Sequence, residues 1–277
     1  MRDPIARSTL GFFVAAGALA ACSVGTLQCP TLAAQESGAE VRLQAISVVT
    51  DAVVWASGLS GTVVRTTNGG QTWTATPVPG ADSLQFRDID AIDADTAYVL
   101  SSGPGESSRI YKTTDAGVSW GLQFTNPDPT GFFDCMAFWD SNHGAVYGDA
   151  VDGSLVIFTT TDGELWTRVS AEGLPSALSG EGGFAASGTC LVTHGDSIGW
   201  VGTGATNTAR VLKTTDRGAS WGAYPTPIVS GSGTSGITTL GFRDLDSGMA
   251  AGGEISSQDS PSDNVAVTDD GGLTWEL

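Results

Sequence analysis

Short apolar runs alternate with tight polar turns along most of the chain. Runs such as Thr62-Val63-Val64, Arg109-Ile110-Tyr111 and Arg210-Val211-Leu212 are too short for helices. Their β-branched and aromatic content and their flanking Gly, Asp, Asn and Ser mark them as strands joined by hairpins. Each leads into one recurring octapeptide: TTNGGQTW at 66–73, TTDAGVSW at 113–120, TTDRGASW at 214–221 and TDDGGLTW at 268–275, with a shortened copy, TTDGELW, at 160–166. A second element precedes the octapeptide. FWDSNHGAVYG at 138–148 aligns without a gap to FRDLDSGMAAG at 242–252, and weaker copies end in Val54-Trp55-Ala56, Ala97-Tyr98-Val99 and Gly199-Trp200-Val201. Every repeat therefore predicts strands a, b and c, an octapeptide turn, and strand d.

The Asp or Asn of the turn recurs at Asn68, Asp115, Asp162, Asp216 and Asp270, with separations of 47, 47, 54 and 54 residues. Periods of this length belong to propellers and solenoids. In each turn the Asx side chain is placed to accept backbone N–H groups, and a following Gly permits positive φ. The Trp at 73, 120, 166, 221 or 275 then enters the next strand and packs between adjacent sheets. These ten residues are expected to hold the fold together and not to catalyse.

The octapeptide resembles the Asp-box, or BNR repeat, of sialidases, sortilin-like receptors and photosystem II assembly-factor-like proteins, over roughly residues 41–277. The resemblance implies an all-β propeller of four-stranded blades, placed at residues 40–277; the residues before it are expected to be an export signal at 1–22 and a tether at 23–39. The fifth turn ends at Trp275-Glu276-Leu277, leaving almost no strand d. That predicts a ring lacking C-terminal blades, six or seven in all, with residues 40–43 placed to supply an outer strand; a complete, irregular five-bladed ring is the alternative.

Composition narrows the function classes. The formal charge is −18 with only 12 Lys and Arg. A surface of that sign repels a phosphate backbone, so nucleic acid is not an expected partner. Arg2 and Arg7 precede an apolar run from Leu10 to about Ala21, too short to span a bilayer and of signal-peptide length. Leu19-Ala20-Ala21-Cys22 resembles a lipobox, with Cys22 as the lipidated residue; cleavage after Ala18-Leu19-Ala20 competes with it. Either places the mature protein outside the cytoplasm, with the membrane reached only through a lipid on Cys22. Cys135 and Cys190 occupy equivalent repeat positions. They are expected to be two small buried thiols; a disulfide would need Cα atoms about 4.4–6.8 Å apart, and blade spacing weighs against it.

No catalytic set assembles. The sialidase mechanism uses three Arg, a Tyr–Glu pair and an acid/base Asp, and Arg65, Arg109, Arg210, Tyr98 and Tyr147 sit at repeat positions where packing is the default. His143 lies in a repeat turn and is expected to face solvent. Nucleotide, nucleophile-elbow, EF-hand and zinc patterns do not fit their required contexts, so no cofactor and no metal is expected. The non-repeated segments are the candidate binding positions: Asp149 and Asp152 between strands b and c of the third blade, and Glu181, Phe184 and Ser187 in the Gly-rich link to the fourth. The resulting expectation is an exported binding or assembly scaffold for a protein or carbohydrate partner. The alternative is a glycoside hydrolase with paired carboxylates at the propeller mouth.

Overall fold

The computed structural model describes residues 31–186, 188–257, 259 and 262–277. Cys22, the signal segment, the first part of the tether and Ser187 lie outside the described residues. The chain divides into a unit spanning Met1–Ala34 and a unit spanning Gln35–Leu277. Residues 31–34 of the first carry no regular element; the second is the propeller.

Five antiparallel blades follow one another in chain order. Blade 1 comprises β1 (Leu43–Val48), β2 (Val54–Gly58), β3 (Val63–Thr66) and β4 (Thr74–Ala75). Blade 2 comprises β5 (Phe86–Ala91), β6 (Ala97–Ser101), β7 (Arg109–Thr113) and β8 (Gly121–Thr125). Blade 3 comprises β9 (Phe133–Phe138), β10 (Gly144–Val151), β11 (Ser154–Thr160) and β12 (Thr167–Arg168). Blade 4 comprises β13 (Leu191–His194), β14 (Ile198–Gly202), β15 (Arg210–Thr214) and β16 (Gly222–Pro225). Blade 5 has three strands, β17 (Ser235–Phe242), β18 (Gly248–Glu254) and β19 (Val265–Thr268). Its fourth strand is reduced to one bridge, in which Val267 and Glu276 exchange both backbone hydrogen bonds at 2.7 and 2.9 Å. Residue 43 opens β1, the innermost strand of blade 1, so residues 40–43 do not supply an outer strand to another blade.

The octapeptide explains the c–d turn atom by atom. In blade 2 the Thr113 hydroxyl donates to Asp115 Oδ1 at 2.9 Å and accepts from Gly117 N at 2.9 Å. Asp115 in turn accepts from Ser119 N at 2.8 Å and from the Ser119 hydroxyl at 2.6 Å. The same Thr–Asx–Gly bonding recurs from Thr66, Thr160, Thr214 and Thr268. Donation from Ser119 holds the Asp115 carboxyl below its usual range, and the Leu165 and Glu164 amides do the same to Asp162.

Each turn delivers its Trp onto the blade before it. Trp120 sits edge-on to Trp55 of blade 1, with ring centroids 6.3 Å apart, and donates to Thr76 O at 3.1 Å. Trp166 lies against Phe124 of blade 2, and Trp221 joins the blade 3 core. Trp275 packs into the core that also holds Trp200 of blade 4, whose ring stacks on Phe242 at 3.6 Å. Four buried apolar clusters result, one for each successive blade pair. Trp73 of blade 1 instead donates to Gln35 Oε1 at 3.2 Å and stays partly exposed.

Cys135 and Cys190 form a disulfide, with Cα atoms 5.9 Å apart. The expectation of two free thiols is therefore corrected. Strand β9 and the residue before β13 are inner elements of adjacent blades, and near the propeller axis the blades approach closely enough for the bond. His143 is also less exposed than expected: its ring packs in the turn 2.9 Å from Asp140 and 3.1 Å from Arg217 of blade 4.

Two outcomes follow. Trp221→Ala should destabilise by about 3–5 kcal/mol as a buried aromatic truncation, whereas Trp73→Ala, whose ring meets no neighbouring blade among the described residues, should cost well under half as much; denaturant titration of both variants checks the contrast. Replacing Cys135 and Cys190 together by Ala should lower stability by about 2–4 kcal/mol, and thermal unfolding of the parent in reductant should reproduce the loss.

Candidate functional site

Adjacent inner strands are not joined by a continuous backbone ladder, so their free N–H and C=O groups need other partners. Side chains supply several. Ser47 Oγ of β1 accepts from Ala91 N at 3.0 Å, and the Thr193 hydroxyl of β13 donates to Phe138 O at 2.7 Å. Between β5 and β9 the acceptors are carboxylates. Residues two apart on a strand share a face, so Asp88 and Asp90 reach Met136 N and Phe138 N as two rungs, at 2.6 and 2.7 Å. Asp88 also accepts from Ile89 N at 2.7 Å. Burial drives the Asp88 carboxyl well above its usual range and raises Asp90 to about 6, each opposed by the amide it accepts from.

The Gly-rich link after blade 3 lies against these carboxyls. A Cβ on Gly182 would fall on Asp149 Oδ1, one on Gly188 on Asp88 Oδ1, and one on Gly183 would come within 2.7 Å of Asp134 Cγ. Gly183 N donates to Asp149 Oδ1 at 3.2 Å, and Arg87 donates to Ala185 O at 3.3 Å. Burial, then the charge of Asp149, raises Asp134 far above the ordinary carboxylate value, and burial raises Asp149 as well. The charge of Asp149 thus opposes ionisation of Asp134. Asp134 Oδ2 and the Tyr147 hydroxyl beside this group are buried without a hydrogen-bond partner.

Glu181 is wholly committed to the fold. Its carboxylate receives Arg210 Nε and NH2, each at 2.6 Å, the Thr203 hydroxyl at 2.9 Å and Leu178 N at 2.9 Å. Arg210 also reaches Ser176 O at 2.7 Å. This bidentate pair fixes the start of the link, and Ala150 N donates to Glu181 O at 2.9 Å, tying it to β10.

Of the residues singled out from sequence, Asp149, Glu181 and Phe184 come into one neighbourhood, Phe184 by packing its ring on Gly204. Asp152 does not join them. It occupies an exposed β10–β11 turn at φ 51° and lines a separate cleft of about 600 Å³ with Asp128, Leu155, Arg168, Leu174 and Ala177. Sequence reasoning missed Asp88, Asp90 and Asp134. The signal for the first two was two acids at alternating positions in an inner strand; Asp134 carried none beyond its place beside Cys135. Among the described residues no three His, Cys, Asp or Glu side chains are grouped to hold a metal ion.

No protein-family model matches the chain, and no curated protein does. Solved structures do. YCF48 from Cyanidioschyzon merolae is 17% identical over 85% of this chain and 71% of its own, with TM-score 0.55. A structure described as YCF48 bound to D1 peptide is 16% identical over 92% of this chain and 88% of its own, with TM-score 0.43. A GH74 xyloglucanase from Xanthomonas campestris is 12% identical over 84% of this chain and 46% of its own, with TM-score 0.43. The likeness to the Cyanidioschyzon merolae protein establishes a shared propeller fold.

Raised carboxyl pKa values mean that the folded state binds protons more tightly than the unfolded chain. The stability contributed by protonated Asp90, and in the same direction by Asp88 and Asp134, is complete below about pH 4 and disappears for Asp90 as pH rises through about 6. The lowered turn acids Asp115 and Asp162 act oppositely, losing their contribution as pH falls below the usual carboxylate range. The denaturation midpoint should therefore be higher near pH ~5 than near pH ~8, and Asp90→Asn should flatten that slope in urea titrations.

Proposed function

We propose that this chain is an exported binding scaffold whose protein partner occupies the blade 3 cleft. The observation that carries the reading is the division between two sets of carboxyls. Those with raised pKa values are enclosed by the 180–186 link or committed to backbone N–H groups, while the open cleft presents Arg168 and Asp152 beside the apolar wall of Leu155, Leu174 and Ala177. A concave apolar wall with a few polar groups suits ligand binding, and no carboxyl with a raised pKa lines this one. YCF48, whose Cyanidioschyzon merolae form shares the fold, has a structure described as bound to D1 peptide, and that supports a peptide segment as the occupant here. The Cys135–Cys190 disulfide supports an oxidising compartment, in keeping with the export signal and with lipidation at Cys22. On this reading the octapeptides are Asp-boxes serving the fold.

The test is capture from membrane and periplasmic extracts by the immobilised chain, compared with an Arg168→Glu, Asp152→Lys variant. A discrete partner retained by the parent and weakened at least about tenfold by the variant, a loss of about 1.4 kcal/mol, is the expected outcome. Equal capture by both overturns the cleft assignment. Polysaccharide turnover that disappears in Asp134→Asn would overturn the scaffold reading in favour of a hydrolase.

A further inference from the structure

Strand register makes the blades comparable position by position. The b-strand residue one after the strand's first paired position is Trp55, Tyr98, Ala145 and Trp200 in blades 1 to 4, and Met249 in blade 5. The first four are 0% exposed, each in the cluster shared with the following blade. Met249 is 50% exposed. On β19 the position of buried Ile157 is taken by Val265, and that of Thr159 by Val267, both about half exposed. Blade 5 thus displays an apolar face of the kind that every other blade buries.

The opposite side of a blade follows the same logic. The inner-strand position held by Ile89, Met136, Leu191 and Leu240 in blades 2 to 5 is buried against the preceding blade in each. In blade 1 it is Ile46, 62% exposed, with Val48 beside it at 65%. The partly exposed Trp73 and the groove it borders with Gln35, Leu43 and Ala56 continue this face. Among the described residues, no strand packing like that of the other blade pairs joins blade 5 to blade 1.

We propose that a second copy of this chain covers these faces, the blade 5 face of one copy packing on the blade 1 face of the next. The complementarity is already on the molecule. Four internal interfaces pair the following side of one blade with the preceding side of its neighbour, and the two uncovered faces are one of each kind. The contact joins different patches on the two copies, so it closes into a ring or extends as a chain according to its rotation. The charge of −18 opposes it. Association therefore strengthens as salt screens that repulsion, while the apolar contact persists.

Sedimentation and light scattering of the full chain, over a range of concentration and salt, provide the test. The parent should shift from its 28.2 kDa monomer mass to at least twice that value, more completely at high salt. Ile46→Glu and Met249→Glu should each abolish the shift alone. Mixed together, they should form a one-to-one pair and nothing larger, since each retains one intact face. Both sites are exposed, and circular dichroism with Ile46→Ser and Met249→Ser separates lost association from lost folding. A parent that stays monomeric under every condition overturns the proposal and leaves the faces to a further blade or a foreign apolar segment. Association that both charged variants preserve overturns it equally.

Discussion

No blade of this protein can bury its own faces. A twisted sheet of three or four short strands has two apolar sides and is marginal in water by itself. Everything else in the fold answers that constraint. The octapeptide turn carries one aromatic ring across to the preceding sheet, and the b strand offers a ring or aliphatic side chain to the following one. The stability of the propeller resides in the seams between sheets more than in the sheets themselves.

The seam between blades 2 and 3 shows how much polarity such packing tolerates. Asp88 and Asp90 satisfy two backbone N–H groups of β9, and their burial favours the protonated carboxyl in each. Asp134 and Asp149 lie under the Gly-rich link, where only residues without a Cβ fit against the carboxyls. A cluster of raised carboxyl pKa values is often the mark of an active site. Here backbone N–H groups satisfy Asp88 and Asp90, glycines enclose Asp134 and Asp149, and Glu181 is spent on Arg210 and the backbone.

The repeat was legible because it is written in local chemistry. Thr, Asx, Gly and Trp at fixed offsets specify a turn that needs no distant partner, so five turns and the strand order around them could be read directly. What escaped reading depends on which residues meet across a seam. Nothing local to Cys135 or Cys190 reveals that their Cα atoms approach to 5.9 Å, because that distance belongs to the taper of the blades toward the axis. Likewise, Asp149 and Asp152 are three residues apart, yet a left-handed turn at Asp152 sends one beneath the link and the other to an open cleft. Glu181 read as a candidate ligand group because an acid in a Gly-rich link looks free; the Arg210 that neutralises it comes from another blade.

The disulfide also has a bearing on how the chain is built. Its two sulfurs belong to consecutive blades, 55 residues apart, and neither blade alone brings them together. They come into range of one another only once blade 4 has docked on blade 3. The bond therefore seals the seam between blades 3 and 4 only after that seam has formed, and a chain in which the two blades fail to meet keeps its thiols open to wrong partners.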